Sequence, residues 1–163
     1  MINITDLNYR KGVGIVLIND KKDIFIAKRI DSKGNNWQMP QGGIDEKESV
    51  EQAALRELYE ETNILKVSII SKTKNWQYYT FPKKVNNTFY EKDALKKRYF
   101  GQKQIWFLMK SLDSSFSEVN LSKSKFPEFE DWQWSGKEYI LSNVIYFKKS
   151  LYKKIFQEFR GYI

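Results

Sequence analysis

The chain is expected to fold as one mixed α/β (α+β) sandwich, residues 1–163 forming a single domain. Three observations predict it. Short β-branched and aromatic runs recur along the 163 residues, one strong central helix interrupts them, and an amphipathic helix closes the C-terminus. With 41% hydrophobic residues the chain can bury one real core but is too short for two ordinary ones.

The first strand is the run Gly-Val-Gly-Ile-Val-Leu-Ile-Asn at 12–19, stopped by the turn-like Asn19-Asp20-Lys21-Lys22-Asp23. Apolar residues alternate with polar or small ones over 24–30, so the two runs read as a β-hairpin. Residues 31–36 are polar and include Gly34, which makes them a loop. A short edge segment at 37–40 ends on Pro40, and Gly42-Gly43 follows at once. Residues 48–62 hold no Gly or Pro and are rich in good helix formers, with Asn63 placed to cap the end. Further strands are expected at 67–70, 76–81, 104–109 and 132–134, and 83–99 reads as a long basic loop. The last helix is expected at 147–159. There Phe147, Leu151, Tyr152, Ile155, Phe156 and Phe159 recur at three- and four-residue spacing, with Lys148, Lys149, Lys153 and Lys154 at the remaining positions.

Composition removes whole classes of chemistry. There is no Cys and no His, so disulfides, thiolate nucleophiles, imidazole bases and the usual zinc ligands are all excluded. Any metal must be a hard ion held by oxygen, Mg²⁺ or Mn²⁺ first. The excess of 28 basic over 20 acidic residues, a formal +8, suits polyanionic partners, although a Lys-rich coding bias would produce the same total. No apolar stretch is long enough to span a bilayer and the N-terminus lacks a signal-peptide layout, so a cytoplasmic protein with no membrane partner is expected.

The central helix carries the chemistry. At 100° per residue Glu57 and Glu61 project about 40° apart, on the arc that Val50 and Ala54 define, so two carboxylates share the apolar face. Glu60 flanks them. Three like charges at one helix end repel, and burying an unpaired carboxylate is costly, so a cation belongs there. Arg56 projects about 100° from Glu57 and is not expected to neutralise the whole cluster. Taken alone, Glu-x-x-Glu-Glu also describes a solvated acidic helix end partnered by lysines.

The wider spacing favours metal. From Gly42 the chain runs five residues to Glu48, seven more to Arg56-Glu57, then Leu58, Tyr59, Glu60-Glu61, Thr62, Asn63 and Ile64. This resembles the Nudix box, with Asn63 standing where the family has glycine. Asn is the residue after Gly most tolerant of the left-handed conformation required at that helix end. The resemblance implies a Nudix-type α/β/α sandwich with a mixed central sheet and a catalytic loop–helix–loop. It implies that Glu57, Glu60 and Glu61 bind divalent metal with the Gly42 carbonyl, while Gly43, Glu48 and Arg56 brace the motif. The implied chemistry is attack of a metal-polarised water on phosphorus.

Four flanking blocks narrow the resemblance: Tyr9-Arg10-Lys11-Gly12-Val13-Gly14-Ile15, Trp37-Gln38-Met39-Pro40-Gln41-Gly42-Gly43-Ile44, Gly101-Gln102-Lys103-Gln104-Ile105-Trp106-Phe107 and Pro127-Glu128-Phe129-Glu130-Asp131-Trp132-Gln133-Trp134. Together they are similar to the bacterial RNA pyrophosphohydrolases and to their relatives, the dinucleoside polyphosphate hydrolases. The likeness implies that Glu128 joins the metal site from a loop, with Glu60 or Glu128 as general base. It implies that Arg10 and Lys148 meet terminal phosphates and that Arg29 and Phe147 sandwich a nucleobase. By the same likeness, Tyr79, Gln102 and Gln104 are expected to line that groove. The expected substrate is 5′-triphosphorylated RNA, with a dinucleoside polyphosphate, or plain RNA binding without catalysis, as alternatives. No DNA partner is expected. Oligomeric state and the preferred 5′ nucleotide stay open.

Overall fold

The computed structural model describes residues 8–32, 34–82, 99–114 and 116–163. The basic loop expected at 83–99 falls outside them except for Tyr99. Among the described residues eight strands build one sheet: β1 (Tyr9–Ile18), β2 (Ile24–Arg29), β3 (Trp37–Gln38), β4 (Gln41–Gly43), β5 (Val67–Lys72), β6 (Gln77–Thr80), β7 (Gly101–Ser111) and β8 (Phe129–Ser135). The helices described there are α1 (Val50–Thr62), α2 (Lys137–Asn143) and α3 (Lys149–Glu158), with a 3₁₀ turn at Tyr146–Lys148 leading into α3. Among the described residues no helix is long and apolar enough to cross a membrane.

The sheet is mixed. β1 runs parallel to β7 over ten register pairs, from Tyr9 with Gly101 to Ile18 with Lys110, and every other pairing is antiparallel. The main path is β3-β2-β1-β7-β5, with β4 on β1, β6 on β7 and β8 on β2. The expected hairpin of β1 and β2 survives only at its base, where Ile18 pairs Ile24. Beyond that pair the strands diverge, because β1 takes β4 on the edge that β2 leaves, while β2 pairs β3 and β8.

The continuous apolar run of β1 follows from its central place, since both faces are covered. Val13, Ile15 and Leu17 join Phe107 and Met109 of β7 in a layer with Ala53, Ala54 and Leu58 of α1. Val16 and Ile18 join Trp106 and Leu108 in a second layer with Ile140 of α2 and Leu151, Tyr152, Ile155 and Phe156 of α3. The period of two along each strand feeds both layers, and this gives the α/β/α sandwich that was expected.

Several boundaries moved for local reasons. α1 starts at Val50 because Ser49 caps it: the Gln52 amide donates to Ser49 Oγ at 3.1 Å and the Ser49 amide donates to Gln52 Oε1 at 2.9 Å. Glu48, expected inside the helix, is thereby left on the entering loop. Asn63 ends α1 as expected, at φ 64°, with its amide donating to the Tyr59 carbonyl at 2.7 Å. α3 is shorter than the 147–159 expected, since Phe147 and Lys148 belong to the 3₁₀ turn. α2 and the three-residue β4 were not foreseen, being too short for periodicity to reveal.

Candidate active site

Glycine sets the entrance to α1. Gly12 pairs Gly43 and Val13 pairs Gly42 in the β1–β4 ladder, and a Cβ at Gly12 would come within 2.6 Å of the Gly42 carbonyl oxygen. A Cβ at Gly42 would fall on the Glu57 carboxylate, and one at Gly43 would lie 2.9 Å from Nη2 of Arg10. Close approach to the Glu57 carboxylate, rather than an unusual dihedral angle, therefore favours glycine at 42, whereas at 43 a Cβ would meet only the tip of the Arg10 side chain.

Arg56 is the brace of this loop. Its Nε and Nη2 donate to the two Glu48 carboxylate oxygens at 2.7 and 2.9 Å, and Nη2 also donates to the Gly43 carbonyl at 2.9 Å. The fork holds the Glu48 carboxyl below its ordinary range, and Glu48 in turn accepts the Asp45 amide at 3.0 Å. Arg56 reaches further than its 100° projection suggested. Nη1 donates to Glu57 Oε1 at 2.9 Å and to Glu60 Oε2 at 3.2 Å, because a long guanidinium folds back over the helix surface.

Glu61 lies beyond that reach. Its side chain is buried on the sheet-facing side of α1, and the Gln41 backbone amide donates to Oε2 at 3.2 Å. Burial first, then the charges of Glu128 and Glu57, push its carboxyl well above the ordinary range. Glu57 is pushed up to about 7 by burial, partly offset by Arg56, with Glu60 and Glu128 adding to the rise. Glu60 is half exposed. Glu128, also half exposed, sits at the start of β8, where its carbonyl accepts the Ile30 amide at 3.0 Å.

Among the remaining expected residues, Lys148 meets Gln41. Its Oε1 accepts Lys148 Nζ at 3.2 Å, and Lys148 also donates to Gln38 Oε1 at 3.1 Å while lying 5.4 Å over the Tyr79 ring. Lys148 was counted among the polar positions of its helix, yet it is wholly buried; burial and the neighbouring Arg29 bring its ammonium down to about 7. Phe147 stacks on Tyr79 at 6.0 Å and packs against the α3-side core. Gln104 is fully buried, its Nε2 donating to Gln102 Oε1 at 3.0 Å and its Oε1 accepting the Trp106 indole at 3.1 Å.

Arg29 is where a register shift in the β2–β8 ladder sets it, opposite Phe129. Its Nε and Nη2 donate to the two oxygens of Asp31 at 2.7 Å each, and Nη1 donates to Glu128 Oε2 at 3.3 Å. Sequence reasoning passed over Asp31, although a position two residues on along a strand end is the natural partner. It also passed over Gln38, whose Nε2 is buried without a partner among the described residues. Gln41, within the stretch 37–44, carries no role in the site expected from sequence.

Hard oxygen donors, Glu61 buried and Glu57 mostly so, both carboxyls raised first by burial and then by neighbouring acids, fit a divalent cation. As the side chains stand, no group of three or more acids among the described residues is gathered closely enough to hold one. Arg56 holds Glu57 and Glu60 on one side and Arg29 holds Glu128 on the other. Gathering the carboxylates means exchanging these guanidinium contacts for the ion.

The family model of the NUDIX domain matches residues 8–154. The chain belongs to the Nudix family. It is 45% identical over 155 residues to an RNA pyrophosphohydrolase of Wolbachia sp. subsp. Brugia malayi, covering 95% of this chain and 92% of the relative. It is 40% identical over 161 residues to an RNA pyrophosphohydrolase of Orientia tsutsugamushi (strain Boryong), with 99% and 96% coverage. The one of Zymomonas mobilis is 44% identical over 156 residues, with 94% and 96% coverage. The Nudix fold recurs in a C. elegans Ap4A hydrolase (TM-score 0.64, 20% identity, 94% of this chain and 99% of that one). It recurs in the E. coli dihydroneopterin triphosphate pyrophosphohydrolase (0.64, 18%, 90% and 96%). Nudix hydrolases act with divalent metal, which agrees with the donor set at Glu57 and Glu61.

Proposed function

We propose that this Nudix hydrolase removes pyrophosphate from the 5′-triphosphate end of RNA, leaving a 5′-monophosphate and so opening the RNA to decay. The reading gives the whole chain, 1–163, one domain and a cytoplasmic place, with Mg²⁺ or Mn²⁺ as the ion. The single observation that carries it is Gln41. Its amide touches the buried Glu61 carboxylate and its side chain touches the buried Lys148 ammonium, 3.2 Å in each case. A cation-demanding group and an anion-demanding group thus meet on one residue, as a phosphate bridged to metal requires. The names of the relatives, at 40 to 45% identity, supply the RNA end as the substrate.

In this reading Glu57, Glu60, Glu61 and Glu128 hold the ion with the Gly42 carbonyl, and Glu48 and Arg56 keep the loop in place. A bound divalent ion supplies charge neutralisation to the phosphate oxygens and to the leaving pyrophosphate. Glu60 or Glu128 takes a proton from the attacking water, whose oxygen bonds to phosphorus as the P–O–P bridge breaks. Arg10 and Lys148 orient the terminal phosphates; Arg29, Phe147, Tyr79, Gln102 and Gln104 border the base.

The test compares release of pyrophosphate from a triphosphorylated oligonucleotide with cleavage of diadenosine tetraphosphate at equal enzyme, in Mg²⁺ and in Mn²⁺. Faster turnover of the RNA is expected. Preference for the dinucleotide would replace this reading with dinucleoside polyphosphate hydrolysis, and Glu61→Gln supplies the background rate.

A further inference from the structure

α1 ends with an electrostatic debt. Glu60 and Glu61 stand in its last turn, where the helix dipole is already negative, and that turn holds no basic residue. The missing cation arrives from the segment between β7 and β8. Lys123 Nζ donates to the Asn63 side-chain oxygen at 2.7 Å and to the Tyr59 hydroxyl at 3.1 Å, and it lies 5.2 Å from the Tyr59 ring centre. The other half of the Asn63 amide, Nδ2, donates to the Glu118 carbonyl at 2.7 Å. A backbone bond from the Asn120 amide to the Thr62 carbonyl at 2.9 Å flanks this junction, and the Lys66 amide donates to the Glu118 carboxylate, at Oε1, at 3.1 Å.

Five residues after Lys123 the same segment delivers Glu128. Residues 125–128 are all exposed, so little packing defines their path. Beyond the local bond from the Phe126 amide to Ser124 Oγ, the segment is fastened at its two ends, by the Lys123 contact at α1 and by the Ile30–Glu128 backbone bond just past β2. Asn63 is also the position at which this chain departs from the Nudix spacing. A glycine there would supply the left-handed backbone but neither amide contact.

We propose that Asn63 and Lys123 form a clamp that positions Glu128 against α1, so that the residue replacing glycine acts through its side chain as well as its backbone. The proposal rests on the assignment of Glu128 to the metal site. Asn63 and Lys123 are positioning residues and touch neither substrate nor ion.

The experiment measures Mn²⁺ affinity by electron paramagnetic resonance, together with amide exchange of residues 116–128, for the parent, Asn63→Gly, Lys123→Met and Glu128→Gln. Asn63→Gly keeps the αL cap, and Lys123→Met tests the clamp from the opposite side should the first variant fold poorly. Each clamp variant is expected to weaken Mn²⁺ binding about 10-fold, as loss of an outer-shell partner does, and to speed exchange across 116–128. Adding either change to Glu128→Gln is expected to weaken binding no further. Unchanged affinity in both clamp variants overturns the clamp alone, as does an equal loss with and without Glu128. If Glu128→Gln itself leaves Mn²⁺ affinity intact, the assignment of Glu128 to the site falls, and the clamp's purpose with it.

Discussion

The Gln41 backbone amide donates to Oε2 of Glu61 at 3.2 Å, and that neutral donor faces a carboxylate buried together with a second, Glu57, whose pKa is pushed up to about 7. The folded chain therefore keeps protons that the unfolded chain has released. In the window from the ordinary carboxylate range, near 4.5, up to about 7, the native state binds more protons than the unfolded one, and stability falls as pH rises. Lys148, brought down to about 7, acts with the opposite sign but only above that pH.

Without divalent ion, the melting temperature is expected to decline between pH 5 and pH 7, and saturating Mg²⁺ should restore more of it at pH 7 than at pH 5. Glu61→Gln should flatten the decline and cut turnover more than about 100-fold, since one substitution removes both the repulsion and the proposed ligand. Calorimetry across the range checks this. A metal-free melting temperature that rises over it would refute the account of Glu57 and Glu61.

Arg56→Lys should lower stability by about 1–3 kcal/mol, because a single ammonium cannot reproduce the fork on Glu48 together with the Gly43 carbonyl and Glu57 contacts. Urea unfolding with an unchanged slope is the measurement. A midpoint equal to that of the parent protein would mean the brace is ornamental.

Gly42→Ala should leave the circular dichroism spectrum close to that of the parent while reducing turnover about 100-fold, since the new methyl group occupies the place of the Glu57 carboxylate and displaces it by an ångström or more. Retention of full activity would show that Glu57 has room to move and still function.

Arg29→Ala should affect two constants at once. Release of Glu128 from Arg29 should tighten Mn²⁺ binding, and loss of the guanidinium plane should raise KM for RNA more than for a dinucleotide. Equal KM changes for both substrates would remove the stacking role. A Mn²⁺ affinity like the parent's would mean that the Arg29–Glu128 contact does not compete with the ion.

How much of this was readable in advance follows from range. Glu57 and Glu61 were placed on the apolar face of α1 by helical periodicity, and Asn63 was placed at its cap by backbone tolerance; both are properties of a few consecutive residues. The capping pair Ser49 and Gln52 was equally local and went unused, which is why Glu48 was set inside the helix. β1, β2, β7 and β8 are legible as strands, yet beyond the base of the β1–β2 hairpin their partners are not, because alternation reports which face is buried and carries no information about which neighbour is bonded.

The sequence by itself determined the chemistry permitted, oxygen ligands and no imidazole or thiol, and it determined the box that places three glutamates on one helix end. Tertiary structure alone decided what meets them. The parallel pairing of β1 with β7, the register shift that sets Arg29 beside Glu128, the burial of Lys148 against Gln41 and the reach of Lys123 to Asn63 all join residues far apart in the chain. Such contacts form only when packed layers bring their strands and loops to the same place, and no local propensity encodes them.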